Sequence, residues 1–174
     1  MCTSDRLIER AAELWCRALK SPRFNNGDDS SQGVFTTALA SLNIEAAQQK
    51  SGDIDSKIEV FRGELSKILL GKKAEQSQRR GYFWADLSCD YAPEDELAEA
   101  AAAAGVDTKL FSVKSSVYIN DGYVTSKFGY GAVEFNHYPL EDGRWLITTL
   151  KGSDMDKVIA SIANGNPLGL LIDS

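Results

Sequence analysis

The sequence predicts an α+β fold: about three N-terminal helices, then an antiparallel-dominated sheet with one crossover helix and a C-terminal helix. Three observations lead there. Apolar residues recur at threes and fours up to Gly71, the pattern switches to period two at residue 82, and Asp121-Gly122 separates two alternating runs.

Taken in order, residues 4–20 place Leu7, Ile8, Ala11, Leu14, Trp15, Ala18 and Leu19 on one helical stripe. Ser4 suits the N-cap, and the proline in SPRF, 21–24, ends the helix. NNGDDSSQG, 25–33, reads as a loop. A second helix fits residues 33–49, with Phe35, Leu39, Leu42 and Ala46 along one side. A third carries Ile54, Ile58, Phe61, Leu65, Ile68 and Leu69, and Gly71 offers a C-terminal stop.

The polar run 72–80 precedes YFWADLSCDY, where odd positions are Phe83, Ala85, Leu87, Cys89 and Tyr91 and even ones are Tyr82, Trp84, Asp86, Ser88 and Asp90. Such alternation belongs to a strand with one face on a core. Pro93 suits the first turn of a helix, Glu94, Asp95 and Glu96 favour the positive end of its dipole, and Gly105 ends it after the alanine run. A two-residue loop at Asp121-Gly122 pairs Ile119 with Val124, Tyr118 with Thr125, Asn120 with Tyr123 and Ser115 with Phe128. That leaves Val117, Ile119, Val124 and Phe128 on an apolar face. A second hairpin spans 132–150 and turns near LEDG, 140–143, with a loop of two, three or four residues. Residues 153–163 read as the last helix. The organisation is a helical segment, 1–71, a polar connector, 72–80, and a sheet domain, 81–174, or one compact domain overall.

A chain of 174 residues with 43% hydrophobic and 25% charged side chains can bury about 70% of the surface it exposes when unfolded, so it needs neither disulfide nor metal to fold. A net charge of −6 argues against general binding to a phosphate backbone. Cys2, Cys16 and Cys89 lack zinc-ligand or redox spacing, so the reading includes neither metal nor cofactor. Asp5, Arg6, Glu9 and Arg10 interrupt any signal-peptide pattern, and the run 97–106 is too short to span a bilayer. The expected setting is cytoplasmic, without a membrane.

Several groups of residues compete as a site. Asp86, Ser88 and Asp90 offer oxygens to a hard cation, but alternate residues of one strand lie about 7 Å apart and do not converge unaided. Outward carboxylates also guard a strand edge. Cys89 with His137, the single histidine, has the residue types of a thiol nucleophile and its base, as has the Asp86/Asp90 pair with His137 for an acid–base enzyme. Against the thiol, Cys89 lies on the apolar side of its strand, and His137 alternates with Val133 and Phe135. DDSSQG, 28–33, starts like a calcium loop, but Leu39 stands where the bidentate acid belongs. Lys72, Lys73, Arg79 and Arg80 could touch phosphates, whereas GYG, 129–131, lacks the rest of a phosphate-loop pattern.

The remaining candidate is a surface. Tyr82, Trp84, Asp86 and Asp90 share one strand face, and Tyr118 and Tyr123 share the polar face of the hairpin. Tyrosine and tryptophan among small polar groups are typical of interface hot spots, although the helices could instead bury their stripes there. The sequence therefore suggests a non-catalytic accessory protein that binds another protein, as an adaptor, inhibitor or immunity-type factor does. Self-association stays open. Two other readings are the small enzyme just named and a nucleic-acid-related role, through the connector or by acidic mimicry of a duplex.

Overall fold

The structure, a computed structural model, describes residues 3–20, 53–80, 82–129, 132–149 and 171–173. The fold is α+β. Helix α1 (Thr3–Lys20) and helix α2 (Ile54–Arg80) lead into β1 (Ala85–Cys89), followed by α3 (Asp95–Ala104) and a short 3-10 turn, Thr108–Leu110. Then come β2 (Ser115–Ile119), β3 (Val124–Lys127), β4 (Phe135–Pro139), β5 (Trp145–Thr148) and β6 (Leu171–Asp173). The expected helices at 33–49 and 153–163 and the loop 25–33 lie outside the described residues.

All six strands pair antiparallel in sequence order, β1-β2-β3-β4-β5-β6. One inward row runs through Ala85, Ile119, Val124, His137 and Ile147, while the outward row beside it runs through Asp86, Tyr118, Thr125, Asn136 and Thr148. β1 and β2 alternate buried and partly buried residues along their whole length, the period-two signature that the sequence carries. α1 and α2 pack on each other, α1 covers the inward row, and α3 packs chiefly against α2. Trp15 sits at the centre, with Phe111 at 5.5 Å and Phe128 edge-on at 5.3 Å. Leu65 and Leu69 of α2, Leu87 of β1, Leu97 of α3 and Val117 of β2 join the same apolar cluster, so residues on both sides of 72–80 share one core.

Four details depart from the sequence reading. The helix expected to stop at Gly71 runs on to Arg80. A glycine stops a helix by turning left-handed, and Gly71 does not take a positive φ. The run after it consists largely of good helix formers. Its charges are anchored by neighbours: Lys72 pairs with Glu96 of α3, Lys73 reaches Asp5 of α1 at 2.7 Å, and Arg79 meets Glu75 one turn back at 3.0 Å. Helix α1 opens at Thr3, which puts Ser4 inside its first turn. Pro93 stays outside α3, bridging to Cys89, and Glu94 takes the N-cap position. Tyr91 does not point inward but is 74% exposed, because β1 ends at Cys89. The Asp90 carbonyl accepts from the Lys114 amide, and the Lys114 ammonium pairs with the Asp90 carboxylate and lies 4.7 Å from the Tyr91 ring centroid.

The turns follow the expected chemistry. Gly105 closes α3 at φ 64, with the Gly105 and Val106 amides donating to Ala102 and Ala101. The first hairpin has the anticipated two-residue loop, with the left-handed position at Gly122 (φ 86). In the second, Pro139 pairs with Trp145 and the Leu140 amide donates to the Arg144 carbonyl, so the loop is the three residues 141–143 with Gly143 left-handed.

The outer margin of β1 is capped at both ends. The Trp84 amide donates to Gln76 Oε1 of α2, and the Ser88 carbonyl accepts from the Glu94 amide. Both groups point away from β2, so by the two-residue period Asp86 also turns its main-chain groups outward, between two occupied positions.

Candidate functional site

The outward sheet face brings most of the predicted aromatic and acidic residues together. Asp86 and Tyr118 are direct cross-strand partners. Carrying the register one residue further sets Trp84 opposite Asn120, whose amide bonds across the turn to the Tyr123 carbonyl. Tyr123 stacks on Tyr138 of β4, with ring centroids 5.0 Å apart and planes 22° from parallel. Trp84, Tyr123 and Tyr138 thus lie in one row, and Tyr118 belongs to the row beside it. Tyr82 and Trp84 are 52% and 45% exposed, while Tyr118, Tyr123 and Tyr138 are partly buried. Tyr138 is absent from the sequence-predicted set. Its alternation with the outward Asn136 is the signal that marks it.

Polar side chains fix this face from beneath. The Asn120 side-chain amide donates to Thr125 Oγ1 at 3.1 Å, and Thr125 Oγ1 donates to Asn136 Oδ1 at 2.9 Å. The Ser88 hydroxyl donates to Asp86 Oδ1. Toward β5 the face is closed: Thr125, Asn136, Leu146 and Thr148 are all buried. The open part is therefore the β1–β2 side. Asp90 belongs to it less than expected, because its carboxylate turns aside to Lys114. Glu94 takes its place beside Asp86: burial pushes the Glu94 carboxyl up, and the neighbouring Asp86 charge adds to the rise.

The inward face holds the histidine. His137 is 3% exposed; its Nε2 lies 2.8 Å from Ser126 Oγ and its Nδ1 lies 3.3 Å from Arg10 Nη2. A guanidinium can only donate, so Nδ1 is the acceptor and the ring proton sits on Nε2, facing the serine. An imidazole in that tautomer cannot take the Ser126 proton, so this pair is not an activated nucleophile. The Arg10 guanidinium also meets Glu13 at 3.0 Å and lies 5.2 Å from the Trp145 ring centroid. Burial raises the Glu13 carboxyl, but hydrogen bonds and charge from Arg17 and Arg10 outweigh it and hold the group below its ordinary value. Arg6 continues the chain, donating to the Leu140 and Gly143 carbonyls at 2.9 Å each.

The proposed enzyme pairs are not assembled. His137 aligns with Ala85, three strands away, and Cys89 is four residues further along, a separation of roughly 20 Å at ordinary strand spacings. Asp86 points to the opposite face of the sheet. Burial pushes the Cys89 thiol up to about 11, away from a reactive thiolate. Among the described residues no group of three or more His, Cys, Asp or Glu side chains could hold a metal ion, and no helix is long and apolar enough to cross a membrane. Lys72, Lys73 and Arg79 of the basic run each have an acidic partner. The DDSSQG loop lies outside the described residues.

No family model, curated protein or solved structure matches this chain.

Proposed function

We propose that this chain is a non-catalytic accessory or regulatory protein of the cytoplasm, which binds another protein through the outward face of its sheet as an adaptor or inhibitor does. The observation that carries the reading is Trp84. It is an exposed indole in register with Tyr123 and Tyr138, on the sheet face opposite the one that helix α1 covers. Rigid aromatics with polar tips gain contact area at low entropic cost, and a hydrogen-bonded floor of Asn120, Thr125 and Asn136 holds them in place. Asp86 and Glu94 at the margin favour a partner surface rich in lysine or arginine.

The test starts by capturing the partner from the source cell, identifying it by mass spectrometry and purifying it. Its affinity is then measured for the native chain and for the Trp84→Ala, Tyr118→Ala, Tyr123→Ala triple variant. Hot-spot side chains each contribute more than about 1 kcal/mol, so the triple variant should bind at least about a hundredfold more weakly with its circular dichroism unchanged. Unaltered affinity would remove the basis for the proposal.

A further inference from the structure

We infer that the chain carries a second, independent site on the other face of its sheet: a cavity between α1 and the inward side of β3–β5 that takes a small neutral molecule with an apolar body and a carbonyl oxygen. The cavity has a volume of about 620 Å³, within the range of roughly 300–1,000 Å³ typical of small-molecule sites. Its walls are apolar: Leu14 and Ala18 of α1 stand across from Phe128, Phe135 and Ile147 of the sheet side. Of these five only Leu14 is buried, so the cavity presents aromatic and aliphatic surface that a ligand would remove from water.

The charges at the rim favour no ion. Arg17 is engaged by Glu13 at 2.6 Å, and Lys20 by Asp55 at 3.1 Å and Glu59 at 3.9 Å. Each cation that borders the cavity already has its acid, and no carboxylate stands among the described residues of the lining to hold a ligand cation. His137, the remaining titratable group there, is a neutral imidazole, since its Nδ1 accepts from Arg10. A charged ligand would therefore leave water for apolar walls without a counter-ion, at a cost that a neutral one does not meet.

What the cavity holds in surplus is O–H donors. Ser112 is 2% exposed and lines the cavity, and its Oγ has no hydrogen-bond partner among the described residues. Ser126 lines it too and is 4% exposed. The Nε2 proton of His137 points at Ser126 Oγ, so that oxygen accepts, and its own hydroxyl proton finds no acceptor among the described residues. A buried hydroxyl left without a partner is costly, and an acceptor brought in by a ligand relieves that cost. Two hydroxyls with protons to give, set in apolar walls beside matched charges, are complementary to a ketone, ester or amide oxygen and not to a carboxylate or an ammonium.

Nuclear magnetic resonance titration with three probes of like size tests the assignment: benzylacetone (a neutral ketone), phenylpropionate and phenylpropylammonium. The ketone should bind at least about tenfold more tightly than either ion, because its body enters the cavity without the desolvation that a charge suffers. Ser112→Ala should weaken ketone binding about threefold to tenfold, the range set by one hydrogen bond. The same variant should not lower thermal stability, since it removes a hydroxyl that has no partner. Nuclear Overhauser contacts from the probe ring to Phe128 and Phe135 locate it without any variant. No binding at millimolar ketone, an ion that binds as tightly, ketone affinity untouched by Ser112→Ala, or no contact with those two rings would each overturn the assignment.

Discussion

Arg10 offers the sharpest test of how the helical layer is fastened to the sheet. Replacing it by methionine keeps an unbranched side chain of similar length at a position only 2% exposed. Three contacts with described residues are lost. His137 Nδ1 becomes a buried acceptor without its donor, a loss of about 1–3 kcal/mol. The contact over the Trp145 ring contributes about 0.5–2 kcal/mol. The ion pair with Glu13 adds little, about 0–1 kcal/mol, because Glu13 is 35% exposed and keeps Arg17 at 2.6 Å. Methionine regains part of this by avoiding the desolvation of a guanidinium. The net destabilisation should be about 2–3 kcal/mol, read as a lower urea midpoint at constant slope. Replacing the polar set together, as Arg10→Met, His137→Phe and Ser126→Ala, leaves none of these three positions with an orphaned polar group and should cost less than Arg10→Met alone. An Arg10→Met variant within about 0.5 kcal/mol of the native chain, or a triple variant worse than the single, would refute the reasoning.

Three further expectations concern the fold. Gly71→Ala should stabilise the chain by about 0.5–1 kcal/mol, because Gly71 lies inside α2 and a Cβ there meets nothing within 4 Å; a destabilised variant would mean that the helix ends at residue 71. Gly143→Ala should cost about 1–2 kcal/mol, since its φ of 92 strains any L side chain and its carbonyl receives Arg6; thermal melting checks it. Burial pushes the Cys16 thiol up to about 12 and the Cys89 thiol up to about 11, from an ordinary value of 9.0. The unfolded chain releases these protons first, so unfolding free energy should fall as pH rises from about 9 toward 11, with no contribution from the thiols below that window. Denaturation midpoints across that range, compared with a Cys16→Ala, Cys89→Ala variant, measure the slope; identical slopes would contradict the burial of the two sulfurs.

What could be read in advance was local and one-sided. Phe83, Ala85, Leu87 and Cys89 announce their face because every second side chain of β1 meets the core. The first hairpin announces its register because Asp121-Gly122 permits one short turn. Gly71 misleads because local sequence cannot show the tertiary ion pairs that carry α2 onward. Tyr91 misleads because the strand is ended by Lys114, which lies beyond an intervening helix. The contact between Arg10 and His137 spans 127 positions and depends on strand order and on the rotation of α1, neither of which a pattern encodes. One trace of it was visible: Arg10 stands three residues from Leu7 and four from Leu14, a charge inside a greasy stripe.

The plugged border of β1 bears on how this molecule behaves in a crowd. An open sheet can be lengthened by any passing chain that zips onto its rim, and repeated zipping is how fibrils grow. Here a glutamine side chain from one helix and the amide that begins another occupy the two ends of that rim, and an aspartate stands in the gap between them. Gln76→Ala would unblock one end, and prolonged incubation of concentrated protein with a fibril-sensing dye would show whether that single stopper keeps the molecules separate.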